Sequence, residues 1–171
     1  NPGASAEYEA LLPNLNKAPW NDPIVRQALA MTIDAKNISQ KGTFGVFPPI
    51  AGLFPSKSEF ALDWVKLDVA GANKLLDDNG WVKGGDGVRA KNGVRLAGEL
   101  LSYNPQLSSI SIPLAEGAKA AGFDLTPKKL DSAVWRTAIK DGAFDLTMQN
   151  NENFGINGDI NGALNISGTV A

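Results

Sequence analysis

The side chains able to do chemistry in this chain are carboxylates, amides and aromatic rings, because its 171 residues include no Cys and no His. Thiol nucleophiles, Ser-His-Asp triads, imidazole acid/base work and Cys or His zinc sites are thereby removed. Among the acids, Asp159 lies between Asn157 and Asn161 ahead of Gly162, an alternation that resembles the start of a calcium-binding loop. The twelfth position of that loop would be Gly168 rather than a bidentate Glu. One carboxylate is too little charge for tight calcium binding, so an Asn/Gly turn is expected. Asp77, Asp78 and Asp86 surround a glycine-rich stretch, and Glu152 with Asp159 has the composition of a glycosidase pair. Spacing alone supports neither; acids at helix ends and in Gly loops usually cap or are solvated. The run GGDG neither follows a strand nor opens a helix, so a phosphate cradle is not expected.

Two other groups point to binding rather than catalysis. Gln149-Asn150-Asn151-Glu152-Asn153-Phe154 directly follows a predicted buried strand. Ligands of open α/β sheets bind beyond the carboxyl ends of strands, and amides both donate and accept hydrogen bonds. A solvated loop is the competing reading. The second group is aromatic: Phe44, Phe47, Phe54, Phe60 and Trp64 fall in KGTFGVFPPIAGLFPSKSEFALDWVK, where Gly, Pro and Ser interrupt every apolar run. A loop of this length is uncommon in a compact domain unless it has a task, and its rings must pack beneath it or meet a ligand. The candidate ligand-binding residues are therefore Phe44, Phe47, Gln149, Asn150, Asn151, Glu152, Asn153 and Phe154.

These residues need a scaffold, and the rest of the chain supplies its outline. Hydrophobic residues at 43% and charged residues at 20% are the composition of a packed globular domain, and 171 residues suit a single one. A net charge of -2, with no basic cluster larger than Lys128-Lys129, argues against nucleic acid. No apolar run is long enough to span a membrane, and no signal peptide is read at the N-terminus. A start at Asn1 rather than Met is expected of a processed protein or an excised segment. Zero Cys is compatible with export as an unbridged chain.

Residues 1–18 are polar and read as an irregular lead-in. In WNDPIVRQALAMTID, Asp22 and Pro23 make a helix start, and Val25, Ala28, Leu29, Thr32 and Ile33 form one core stripe. Arg26 on its flank is expected to make a structural contact. Asp34 caps a short helix to about Gln40, and Asp68 caps VAGANKLLDDNG, stopped by Gly80, with Trp81 folding back. Asn92-Gly93 predicts a hairpin between 88–90 and 94–103. A helix over 109–121, a strand over 123–127, a helix capped by Asp131 to Lys140 and a strand over 144–148 complete a β-α-β-α-β order. That order requires an α/β fold, a parallel or mixed sheet flanked by helices. The Asn- and Gly-rich tail beyond Gln149 shows no core pattern.

Four separated motifs, APWNDPIVRQALAMTIDAKNI, LLDDNGW, DGVRAKNGVRLAGELLSYN and WRTAIKDGAFDLTMQ, run in order from Lys17 to Gln149. Together they resemble the family 5 extracellular solute-binding proteins, the peptide, nickel and oligosaccharide receptors of ABC importers. The resemblance implies a type II periplasmic-binding-protein-like fold of two lobes joined by crossing strands. The motifs belong to the C-terminal lobe, so residues 1–171 are expected to form that single domain, with 1–17 and 150–171 running near a missing N-terminal lobe. It also implies no enzyme activity and no cofactor; with no His the lobe cannot ligate nickel through imidazole, so no metal-ligating residue is expected, while a chelated metal stays open. The partners implied are a small solute, the N-terminal lobe and a membrane permease, at an extracytoplasmic site, periplasmic or cell-surface, with a lipid anchor on the full-length protein left open. An oligopeptide or similar solute is the first expectation. The Trp-Gly, Asp and Asp-Pro pattern of many peptide-binding members is absent after the FDL strand, where Glu152 is the nearest acid. An oligosaccharide receptor and a protein-interaction module using the 41–66 aromatics stay open as alternatives, as does an enzyme built on Glu152 and Asp145.

Overall fold

The computed structural model describes residues 8–46 and 66–151. Its centre is a four-stranded sheet in the order β1, β7, β5, β6, made by β1 (Tyr8–Pro13), β5 (Ala97–Ser102), β6 (Asp124–Lys129) and β7 (Leu146–Asn151). β5 runs parallel to β6 and β7, while β1 is antiparallel to β7. The parallel strands are joined by α4 (Pro105–Ala118) and α5 (Ser132–Lys140), the crossovers that such strands require. The α/β class and mixed sheet follow the sequence expectation.

The N-terminal segment does not. Residues 8–13 are a strand at the edge of the sheet, with Leu11 opposite Met148 and Leu12 opposite Thr147. Its partner lies more than a hundred residues away in the chain, so no local pattern marks it. Pro13 is tolerated because it ends an edge strand. The next residue, Asn14, is 5% exposed and pins the strand end: Nδ2 donates to the carbonyls of Gly142 (3.0 Å) and Phe144 (2.9 Å).

Helix α1 (Pro23–Ala30) begins as its sequence requires. The Asp22 carboxylate accepts from Ile24 N–H at 2.9 Å, Pro23 occupies the first turn, and Val25, Ala28 and Leu29 are buried. Arg26 Nη1 donates to the Trp20 carbonyl at 2.9 Å, the structural contact expected of it. Asp34 caps α2 (Ala35–Thr43), which runs a few residues past the expected end at Gln40. Gly42 is what lets α2 reach α4: a Cβ there would lie 2.7 Å from Ile110 Cγ2. Asp68 caps α3 (Val69–Asp78), accepting from Gly71 N–H at 2.7 Å, and Trp81 folds back so that its N–H donates to the Leu76 carbonyl at 2.9 Å.

The expected hairpin is present, but its second strand is not continuous. A small sheet holds β2 (Val82–Lys83), β3 (Arg89–Lys91) and β4 (Val94–Arg95), turned by Asn92 and Gly93 at φ 52° and 80°. Leu96, fully buried, ends it. Its N–H donates to the Arg89 carbonyl, and its own carbonyl accepts from Asp124 N–H, so the chain passes into the main sheet at that residue. The small sheet is tied down by Arg89, 2% exposed, which donates to the carbonyls of Ala121 and Trp81, to Asn73 Oδ1 and to Asp77.

Helix α4 starts at Pro105 rather than Ser109, because Asn104 Oδ1 caps Leu107 N–H at 2.8 Å and Pro105 fits the first turn. A 3-10 turn, Lys119–Ala121, and Gly122 at φ 87° close it. Leu107, Leu114, Leu76, Leu100, Phe123, Leu146, Met148 and Trp20 form one core, with Trp20 stacked on Phe123 at 6.5 Å. Thr147, on the other side of β7 by strand alternation, meets Trp135 of α5 instead. The last strand is longer than expected: it continues through Asn151, because β1 supplies backbone partners for Gln149, Asn150 and Asn151. Those three residues are therefore strand, not loop or tail.

Candidate functional site

The parallel strands β5, β6 and β7 end on one side of the sheet, where α4 and α5 begin. Each helix start is made locally, by Asn104 with Pro105 for α4 and by Asp131 for α5, whose Oδ1 accepts from Ala133 N–H at 2.8 Å. Between these two first turns lies an open cleft of about 420 Å³, lined by Tyr103, Pro105, Lys129, Leu130, Asp131 and Ser132. It occupies the position at which α/β sheets bind ligands, beyond the carboxyl ends of strands. Its charges are of both signs: an exposed Lys129 ammonium and an exposed Asp131 carboxylate, with the positive ends of two helix dipoles alongside.

The back wall is a linked set of aromatic and polar groups. The Tyr103 ring lies against Trp135 at 4.3 Å between centroids, tilted by 39°. Trp135 Nε1 donates to Thr147 Oγ1 at 2.7 Å, and that hydroxyl approaches the Leu101 carbonyl at 3.3 Å. Tyr103 O–H donates to Asn150 Oδ1. One strand end, one helix and the amide end of β7 are thus fixed to one another around a half-buried tyrosine.

Of the residues expected to bind, Gln149 and Asn150 lie half-buried at this end of β7, and Asn150 joins the wall through Tyr103. Asn151 completes the strand opposite Tyr8. Phe44 closes α2 in the left-handed conformation (φ 54°), is 87% exposed and does not line the cleft. Phe47, Glu152, Asn153 and Phe154 lie outside the described residues, as do the calcium-like loop, the Glu152–Asp159 pair and residues 47–65 of the aromatic loop. Sequence reasoning missed Tyr103, Pro105, Trp135 and the 129–132 corner. The available signal was the strand-to-helix junction, written twice as a capping residue after a strand: Asn104 and Asp131.

Several of the described carboxylates are occupied structurally. Asp78 pairs with Lys74 (2.7 Å), Asp86 with Arg95, and Asp145 with Lys17 (2.7 Å) while accepting from Glu99 N–H at 3.0 Å. Hydrogen bonds from Arg89 and Arg95 hold Asp77 and Asp86 below the usual carboxylate range. Asp145, one half of the enzyme alternative, is thus committed to the start of β5 and the segment after β1. Among the described residues no three acids gather where a metal ion could be held, and no helix is long and apolar enough to cross a membrane.

Comparison with known proteins agrees with this architecture. Protein XP55 of Streptomyces lividans is 28% identical over 120 residues, 67% of this chain and 21% of that protein. An ABC transporter substrate-binding protein from Sinorhizobium meliloti is 27% identical with a TM-score of 0.75, covering 94% of this chain and 33% of its own. NikA from Brucella suis, in complex with Fe(III)-EDTA, superposes with a TM-score of 0.77 at 24% identity over 90% of this chain and 32% of its own. The oligopeptide-binding protein AppA from Bacillus subtilis, in complex with a nonapeptide, gives 0.71 at 19% over 85% and 31%. The chain thus spans about a fifth of XP55 and about a third of these structures. The family model described as bacterial extracellular solute-binding proteins, family 5 Middle, matches residues 1–166. That match covers nearly the whole sequence, and this chain belongs to the family 5 extracellular solute-binding proteins.

Proposed function

We propose that this chain is the C-terminal lobe of an ABC-importer receptor and supplies one wall of its solute cleft, at the carboxyl ends of β5, β6 and β7. Family 5 proteins are extracytoplasmic receptors that bind peptides, nickel or oligosaccharides. The observation that carries the assignment is the cleft between the first turns of α4 and α5, lined by Tyr103, whose hydroxyl is tied to the Asn150 amide at the end of β7. An oligopeptide suits this cleft better than a neutral sugar. Lys129 and Asp131 offer both charges to a zwitterionic chain, whereas sugar hydroxyls need neutral donors and acceptors. Trp135 is 9% exposed beneath Tyr103, so it is a support rather than a stacking platform for a sugar ring.

No covalent chemistry is involved. The solute is held by hydrogen bonds and ring contacts from both lobes, and closure is favoured because the closed state makes more of them. One lobe alone then binds weakly. Native mass spectrometry of the full-length receptor purified from its source identifies the solute, and isothermal titration compares receptor with isolated chain. A peptide that binds the receptor and is barely detected on the chain supports the proposal; equal affinities would sink it. The permease and the N-terminal lobe are the partners this function requires.

A further inference from the structure

Glu9 of β1 and Asn150 of β7 are opposite one another in the ladder, one rung before β7 ends at Asn151. Both members of that rung are held from the same corner of the cleft. Tyr103, the residue after β5, donates its hydroxyl to Asn150, and Gln106, in the first turn of α4, donates its amide Nε2 to Glu9. β1 and β7 lie side by side in opposite directions, with Tyr8, the first described residue, opposite Asn151, the last. We infer that Tyr103 and Gln106 are positioning residues that lock the Glu9–Asn150 rung to the cleft rim, so that the cleft wall sets the direction in which the two connecting strands leave.

The inference rests on the proposed reading of the chain as one lobe of a two-lobed receptor. Its physical basis is geometric. The β5–β7 ladder ends at Leu101 and Thr147, so backbone bonds tie the Glu9–Asn150 rung into β1 and β7 but not to β5, and the two side-chain bonds join that rung to Tyr103 and to the first turn of α4. Tyr103 is shared between the cleft and the rung, because its ring lines the cleft while its hydroxyl holds Asn150. A solute that engages Tyr103 therefore acts on the same group that fixes the exit of the strands, which gives binding a differential effect on lobe orientation.

The test uses the full-length receptor, spin-labelled at exposed Lys119 and at a surface position on the other lobe, with the distance distribution measured without solute and with a mixture of synthetic oligopeptides. Glu9 and Gln106 do not line the cleft, so Glu9→Ala and Gln106→Ala separate the clamp from solute contact. Each variant is expected to broaden the solute-free distribution and to weaken oligopeptide binding about two- to tenfold, with circular dichroism unchanged. The exchange Glu9→Gln with Gln106→Glu restores a donor facing an acceptor, and is expected to return the distribution to that of the parent. Unchanged distributions in the single variants, or an exchange no better than they are, would overturn the inference. A parent receptor that binds no oligopeptide counts against the solute assignment alone, since the solute-free distances decide the clamp independently.

Discussion

Thr147→Val removes one hydroxyl from the back wall of the cleft while leaving its shape in place. Thr147 is 1% exposed, and its Oγ1 is the acceptor for Trp135 Nε1 at 2.7 Å. Valine leaves that indole N–H unpaired at a position only 9% exposed, at a cost of about 1–2 kcal/mol. For a domain of this size that corresponds to a Tm lower by about 2–8 °C. The value by itself does not isolate the hydrogen bond, so a double-mutant cycle with Trp135→Phe is the assay, read by urea titration of the isolated chain. In the Trp135→Phe background there is no N–H to strand, and Thr147→Val is expected to cost about 1 kcal/mol less than in the parent. A coupling indistinguishable from zero would refute the claim that this bond anchors the platform beneath Tyr103.

Two further outcomes follow from the packing and electrostatics. Gly42→Ala improves intrinsic helix propensity by about 1 kcal/mol, yet its Cβ would lie 2.7 Å from Ile110 Cγ2 and 2.9 Å from Ile110 Cα. The clash with backbone outweighs the gain, so a lower Tm is expected and a higher one would mean α2 and α4 are not so closely packed. The Asp77 carboxyl is held below its ordinary value of 3.8, chiefly by the hydrogen bond from Arg89. A lowered folded-state pKa gives stabilisation that is present above the unfolded value and lost as pH falls through the folded one. Urea midpoints should therefore fall more steeply below about pH 4 in the parent than in Asp77→Asn, and parallel curves would contradict this.

Locally determined features were readable from the residues alone. Asp22-Pro23, Asp34, Asp68 and Asp131 cap the helices they were expected to cap, and Asn92-Gly93 turns the hairpin, because each acts within a few residues of itself. The errors share another cause. β1 is a strand because β7 lies beside it, and β7 extends through three amides because β1 lies beside it, so neither half of that pairing is visible from its own segment. Leu96 divides one apparent strand between two sheets through bonds to Arg89 and Asp124, which are likewise non-local. The cleft was half legible for the same reason. A polar run after a strand marked Gln149 and Asn150, but Tyr103 and Trp135 become a wall only when β5, β7 and α5 are assembled. Phe44, 87% exposed, drew attention by residue type, and like Gln149 and Asn150 it is not among the residues that line the cleft.

The crystal structure of the full-length receptor with the solute it carries when purified from its source tests the central claim most directly. The account predicts solute atoms seated between the first turns of α4 and α5, against Tyr103 and within hydrogen-bond reach of Lys129, Asp131, Gln149 or Asn150. A solute enclosed elsewhere, with those side chains facing only water, would contradict it.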